Sequence, residues 1–119
     1  MSLPFEKTLI IIPTYNEIDN IEKMISTLFK LYPAVSVLII DDGSPDGTAQ
    51  VVKRLQSDFS NLFMMERKGK LGLGTAYVKG FRYALRGNFE YVFEMDCDFS
   101  HNPNDLPRLR QAILDGADV

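Results

Sequence analysis

The run Thr8-Leu9-Ile10-Ile11-Ile12, stopped by Pro13, constrains this chain more than any other feature. Its apolar residues do not alternate with polar ones, so a strand made from it has no face to give to water. Val35 to Ile40 repeats the pattern. Strands covered on both faces belong to parallel sheets, whose crossover segments supply the covering helices. The intervening segments have the matching period. Ile18, Ile21, Met24, Ile25, Leu28, Phe29 and Tyr32 fall at spacings of three and four and end before Pro33, the stripe of an amphipathic helix. Thr48 is placed to cap a second helix carrying Val51, Val52, Leu55 and Phe59. Leu62 to Met65 reads as a third strand. A third helix is expected from near Thr75 to Arg86, with Val78, Phe81 and Leu85 inward. Tyr91 to Met95 is the fourth strand, and Asn104 or Asp105 starts a closing helix with Leu106, Leu109 and Ile113 inward. The order βαβαβαβα predicts an α/β fold: an open, mainly parallel sheet with right-handed crossovers and helices on both faces.

Ligands of such sheets bind beyond the carboxyl ends of the strands, where the strand order reverses. Three polar stretches fall at such ends: Pro13-Thr14-Tyr15-Asn16-Glu17, Asp41-Asp42-Gly43-Ser44 and Asp96-Cys97-Asp98. If the first strand is central, with the second and third to one side and the fourth to the other, the Tyr15 and Asp98 loops face each other across one crevice. Asp96 and Asp98, two residues apart on extended backbone, project to the same side and repel. A hard divalent cation relieves that repulsion by taking oxygen ligands from one or both. Taken alone, the triplet fits a turn better than a metal site, since Asp also serves turns through local hydrogen bonds.

Each of the other stretches also has a plain reading. Pro13 to Glu17 is a serviceable helix start, with Asn16 as cap and Glu17 favouring the helix dipole. That leaves an aromatic on the turn unexplained, and Tyr15 has a face to stack on a base and a hydroxyl to bond it. Asp41-Asp42-Gly43-Ser44-Pro45-Asp46-Gly47-Thr48 is turn chemistry throughout, yet two adjacent acids exceed what a turn needs. One of them accepting from a base N–H or a ribose hydroxyl is the functional reading. Arg67-Lys68-Gly69-Lys70-Leu71-Gly72-Leu73-Gly74-Thr75 places cations and glycines ahead of a helix. Such a loop suits a phosphate, but it matches neither the P-loop nor the dinucleotide fingerprint, and a solvated turn explains it as well. His101 reads as a turn residue near the site more readily than as a ligand.

Composition narrows the classes. With 119 residues, 45% of them apolar and 24% charged, the chain suits one globular domain with a real core. A net charge of −3 gives no electrostatic footprint for nucleic acid. The one cysteine, Cys97, has no intrachain disulfide partner, which fits a reducing compartment. No apolar run approaches a membrane span, and the N-terminus has no signal-peptide pattern. Met1-Ser2-Leu3, which would also fit a cloning remnant, are set aside from the fold argument, leaving residues 4–119 as the expected folded unit.

Taken together, Ile11-Ile12-Pro13-Thr14-Tyr15-Asn16-Glu17, the Asp41–Thr48 stretch, Lys70-Leu71-Gly72-Leu73-Gly74-Thr75-Ala76-Tyr77 and Met95-Asp96-Cys97-Asp98-Phe99-Ser100-His101 resemble the family-two glycosyltransferases of GT-A, Rossmann-like fold. The long Asp-Gly-Ser-Pro-Asp-Gly-Thr form and the Leu-Gly-Leu-Gly-Thr-Ala-Tyr run resemble most the branch that moves mannose from GDP-mannose to a polyprenol (dolichyl) phosphate. By that resemblance Pro13, Tyr15 and Glu17 line the nucleotide, and Ile40 and Asp42 contact the base or ribose. Asp96, Cys97 and Asp98 meet the ribose and diphosphate, with Asp98 the principal ligand of Mg²⁺ or Mn²⁺ and Asp96 beside it. Asp98 is thereby the catalytic candidate. Family members often carry Ala at the position of Cys97, another small side chain, and Gln at that of Ser100, whose short hydroxyl makes it a secondary metal candidate.

The resemblance implies metal-assisted departure of GDP and direct, inverting displacement. An acceptor phosphate monoester, with a second pKa of about 6, is already largely an anion at neutral pH and needs no strong base. It also implies a protein peripheral to the cytoplasmic face of a membrane, meeting that surface through its lipid acceptor. The family continues into another strand where this chain ends at Val119. The expectation is therefore a donor-binding half, truncated at its C-terminus, with little transfer activity alone and a tendency to self-associate. Two alternatives stand beside it: a related family-two enzyme using UDP-glucose, and a non-catalytic nucleotide-binding module.

Overall fold

The computed structural model describes residues 7–68, 73–87 and 89–97. Asp98, Ser100, His101, residues 69–72 of the cationic loop and the closing helix expected after Asn104 lie outside them. The elements alternate as β1 (Thr8–Thr14), α1 (Ile21–Leu31), β2 (Ser36–Asp41), α2 (Thr48–Leu55), β3 (Leu62–Glu66), α3 (Leu73–Arg86) and β4 (Tyr91–Glu94). All strand pairs are parallel, in the order β3-β2-β1-β4. The first strand is central, the condition under which the Tyr15 loop meets the end of β4, and the order reverses between β1 and β4.

Both faces of the sheet are covered, which explains the unbroken apolar strands. Ile10, Ile12, Val37 and Ile39 point to one face and pack with Met24, Ile25 and Leu28 of α1 and Val52 and Leu55 of α2. Leu9, Ile11, Leu38 and Ile40 point to the other, against Ala76 and Ala84 of α3. Each large aliphatic buried this way contributes about 1.5–3 kcal/mol of transfer free energy, so β1 and β2 dominate the core.

The face of α3 is the clearest departure from the sequence reading. Val78 is 49% exposed and Leu85 is 80% exposed. Among the α3 positions whose burial is described, the buried ones are Ala76, Gly80 and Ala84, spaced by four residues on one stripe. The helix lies so near β1 that a Cβ on Gly80 would stand 2.5 Å from Ile11 Cδ1. Close approach demands small residues, so Val78 and Leu85 are turned away, while Phe81 is half-buried and Tyr83 packs partly buried against the same cluster.

The other helix starts also shift. Ile18 is 40% exposed and precedes α1, whose N-cap position is Asn20. Asn16 does not cap α1; its backbone is left-handed, with φ 56°. Gly47 is the N-cap residue of α2, with φ 96°, and Thr48 is the helix's first residue.

Candidate active site

The carboxyl ends of β1, β2 and β4 come together as the topology requires. Pairing of β1 with β2 ends at Thr14↔Asp41, and Asp42 N–H donates to the Thr14 carbonyl at 3.0 Å. Pairing of β1 with β4 reaches Ile11↔Glu94, and Met95 N–H continues the ladder to the Ile11 carbonyl at 3.0 Å. The next residue is Asp96. Thus Tyr15, Asp42 and Asp96 each leave the sheet just beyond its edge, on three neighbouring strands.

The turn that carries Tyr15 is held by side chains of the segment after β2. Ser44 Oγ accepts from Asn16 N–H at 2.9 Å, Thr48 Oγ1 from Glu17 N–H at 3.0 Å and Asp46 Oδ2 from Ile18 N–H at 3.1 Å. Three successive amides ahead of α1 are therefore satisfied from across the sheet, not by a local cap. Asp46 also accepts the Thr48 N–H and hydroxyl. Burial pushes the Asp46 carboxyl up, but these hydrogen bonds outweigh it and leave the group below its ordinary value. With its amides fixed, the turn presents Tyr15 outward, 37% exposed and clear of the core.

The two adjacent acids divide their duties. Asp41 is 1% exposed and accepts from the Thr14 hydroxyl at 2.7 Å, the Ser44 hydroxyl at 2.6 Å and the Ser44 N–H at 3.0 Å. It ties β1, β2 and the following turn together. Asp42 is gripped by Arg67: Nε donates to Oδ1 at 2.6 Å and Nη2 to Oδ2 at 2.9 Å. Arg67 Nη1 also donates to Thr75 Oγ1 at 2.8 Å. The sequence reading weighed Arg67 as part of a phosphate-facing loop or of a solvated turn, and missed this pairing. The parallel register carried the signal, because Asp41↔Glu66 sets Asp42 and Arg67 side by side one residue later.

The remaining site residues are distributed as follows. Pro13 is half-buried at the end of β1. Glu17, also half-buried, accepts from Asn20 Nδ2 at 3.4 Å. Ile40 is fully buried in the α3-side core, and Cys97 is 2% exposed in the opposite cluster. Asp96 is half-buried. Glu94, two residues earlier, has its carboxyl pushed up, first by burial and then by the charge of Asp96. A hard-oxygen donor in such negative surroundings fits a divalent cation. Among the described residues no group of three or more His, Cys, Asp or Glu is gathered for a metal; the expected ligand Asp98 lies outside them. No described helix is long and apolar enough to cross a membrane.

Comparison with known proteins agrees with this fold. The chain is 43% identical over 117 residues to polyprenol monophosphomannose synthase of Mycolicibacterium smegmatis, covering 98% of this chain and 44% of that protein. It is 40% identical over 107 residues to undecaprenyl-phosphate mannosyltransferase of Micrococcus luteus, covering 90% of this chain and again 44% of the relative. The chain thus spans less than half the length of these curated relatives. Among solved structures, the mannosyltransferase PcManGT of Pyrobaculum calidifontis, in complex with GDP-Man and Mn²⁺, has a TM-score of 0.59 at 27% identity, over 65% of this chain and 24% of that one. TarS 1–349 of S. aureus has a TM-score of 0.64 at 24% identity, over 91% of this chain and 32% of that one, and shows the shared fold alone. The fold is the GT-A, Rossmann-like one of glycosyltransferases. A profile described as Glycosyl transferase family 2 matches residues 9–119, and the chain belongs to that family.

Proposed function

We propose that this chain forms the donor-binding part of an enzyme that transfers mannose from GDP-mannose to a polyprenol phosphate. One observation carries the reading: Tyr15, Asp42 and Asp96 emerge together at the carboxyl edge, beside the switch between β1 and β4. The names of the curated relatives support the mannosyl and polyprenyl-phosphate parts of it. The GDP-Man and Mn²⁺ held by PcManGT support the donor and the metal.

In this reading Tyr15 stacks on or bonds the base, and Pro13 and Glu17 complete that wall. Asp42 accepts from the base or ribose. Asp96 and Asp98 supply carboxylate oxygens for Mg²⁺ or Mn²⁺. A bound cation would neutralise charge developing on the departing diphosphate. The lipid acceptor brings its own anionic nucleophile, so the chain's task is to hold the donor in line and keep water out. Membrane contact and self-association belong to the same proposal.

A thermal-shift panel of GDP, UDP, GDP-mannose and UDP-glucose, each with Mn²⁺ or EDTA, tests it. The guanosine ligands should raise the melting temperature, and only with Mn²⁺. Stabilisation by UDP-glucose in preference to GDP-mannose would reject the donor assignment, and no stabilisation by any of the four would reject the nucleotide site.

A further inference from the structure

We propose that Arg67 is a positioning residue of the donor site, acting through Asp42 without touching the nucleotide. The inference rests on the reading above, in which Asp42 contacts the nucleotide. Arg67 is the first residue past β3 and Asp42 the first past β2. Their side chains are 4% and 9% exposed. The guanidinium meets both carboxylate oxygens, and its third nitrogen reaches Thr75 in the early part of α3. Its own N–H donates to the Asp41 carbonyl at 2.8 Å, so main chain and side chain both fix its place.

Stabilisation alone is a poor explanation for such a pair. Desolvating two charges offsets most of their attraction, and apolar replacements of similar volume often do as well. An ion pair does achieve something an apolar pair cannot: it holds Asp42 ionised and at one orientation. A carboxylate oxygen has two acceptor sites, so an oxygen bonded by Arg67 retains capacity for another donor. Asp41 shows the contrast. Its Oδ1 accepts from the Thr14 and Ser44 hydroxyls and its Oδ2 from the Ser44 N–H, neutral donors that build the turn, whereas both Asp42 oxygens accept from a planar fork arriving from the β3 side. A fork fixes direction as well as charge, which lysine cannot do.

A double-mutant cycle on GDP binding tests the proposal, with calorimetry of the 119-residue chain in Mn²⁺ and a melting curve for every variant. Arg67→Lys keeps the buried charge balanced and should remain folded; Arg67→Met is the harsher second variant. Asp42→Asn should weaken GDP binding by about ten- to a hundredfold, the range for losing a hydrogen bond to a charged group. Arg67→Lys should weaken it by about tenfold, and Arg67→Lys/Asp42→Asn should bind no more weakly than Asp42→Asn alone. A folded Arg67→Lys protein with unchanged affinity would overturn the positioning role and leave the Asp42 reading intact. Additive losses would overturn it too, because Arg67 would then act independently of Asp42. Unchanged binding by Asp42→Asn would reject the Asp42 reading itself, and the proposal with it.

Discussion

Two neighbouring parts of the carboxyl edge fix their site residues by opposite means. The turn carrying Tyr15 is held by a spread of neutral or surface hydrogen bonds, from Ser44, Asp46 and Thr48 to three successive amides. Asp42 is held by a buried ion pair with Arg67. The first arrangement shares its load, so each member contributes modestly and the turn can adjust around a ligand. The second concentrates it, so losing one partner leaves a charge stranded in the interior. The difference suits their proposed tasks. An aromatic that stacks on a base tolerates small shifts, whereas a carboxylate that reads a hydrogen-bond donor does not.

Breaking the concentrated side should have the largest effect. Arg67→Met is expected to cost about 3–5 kcal/mol of folding stability, the range for a buried pair that loses one partner. Denaturant unfolding measures it, and a loss under 1 kcal/mol would mean that Asp42 finds another partner or a proton. On the distributed side, Thr48→Val keeps the shape but removes the acceptor for Glu17 N–H. It should cost about 1–2 kcal/mol, as for a lost cap or hydrogen bond, with the melting temperature as readout.

The smaller effect of Asp46 is best read by pH. Its carboxyl lies below the ordinary value in the folded state, so its contribution is present above the unfolded-state pKa and is lost as pH falls through the folded one. Stability should therefore decline below about pH 4, and Asp46→Asn should flatten that decline. An identical acid limb in both proteins would show that Asp46 is not the group responsible.

Much of this was legible because large aliphatic residues announce themselves. The unbroken runs at Leu9–Ile12 and Val35–Ile40 and the stripe of α1 require a doubly covered parallel sheet; the order β3-β2-β1-β4 is the one the sequence reading carried only as a condition, because polar ends do not fix which strands are neighbours. The inward face of α3 was not legible from apolar periodicity. It packs through Ala76, Gly80 and Ala84, residues too small to stand out, while Leu85 projects into solvent. Leu85→Ser should consequently change stability by no more than about 0.5 kcal/mol, the smallest effect expected here. The role of the Asp41–Thr48 stretch was half legible. Its turn chemistry is plain in sequence, but its bonds run 28 to 31 residues back along the chain, a distance no local pattern conveys. Asn16 illustrates the cost: it looks like a cap, yet its amide is the group being held.

The central claim is that this edge binds a nucleoside diphosphate with a divalent cation, chiefly through Asp98 beside Asp96. Calorimetric titration of the 119-residue chain with GDP, in Mn²⁺ and then in EDTA, tests it most directly. The account predicts binding that EDTA weakens at least about tenfold, with Asp98→Asn in Mn²⁺ causing a similar loss. Equal affinity in Mn²⁺ and EDTA would contradict it.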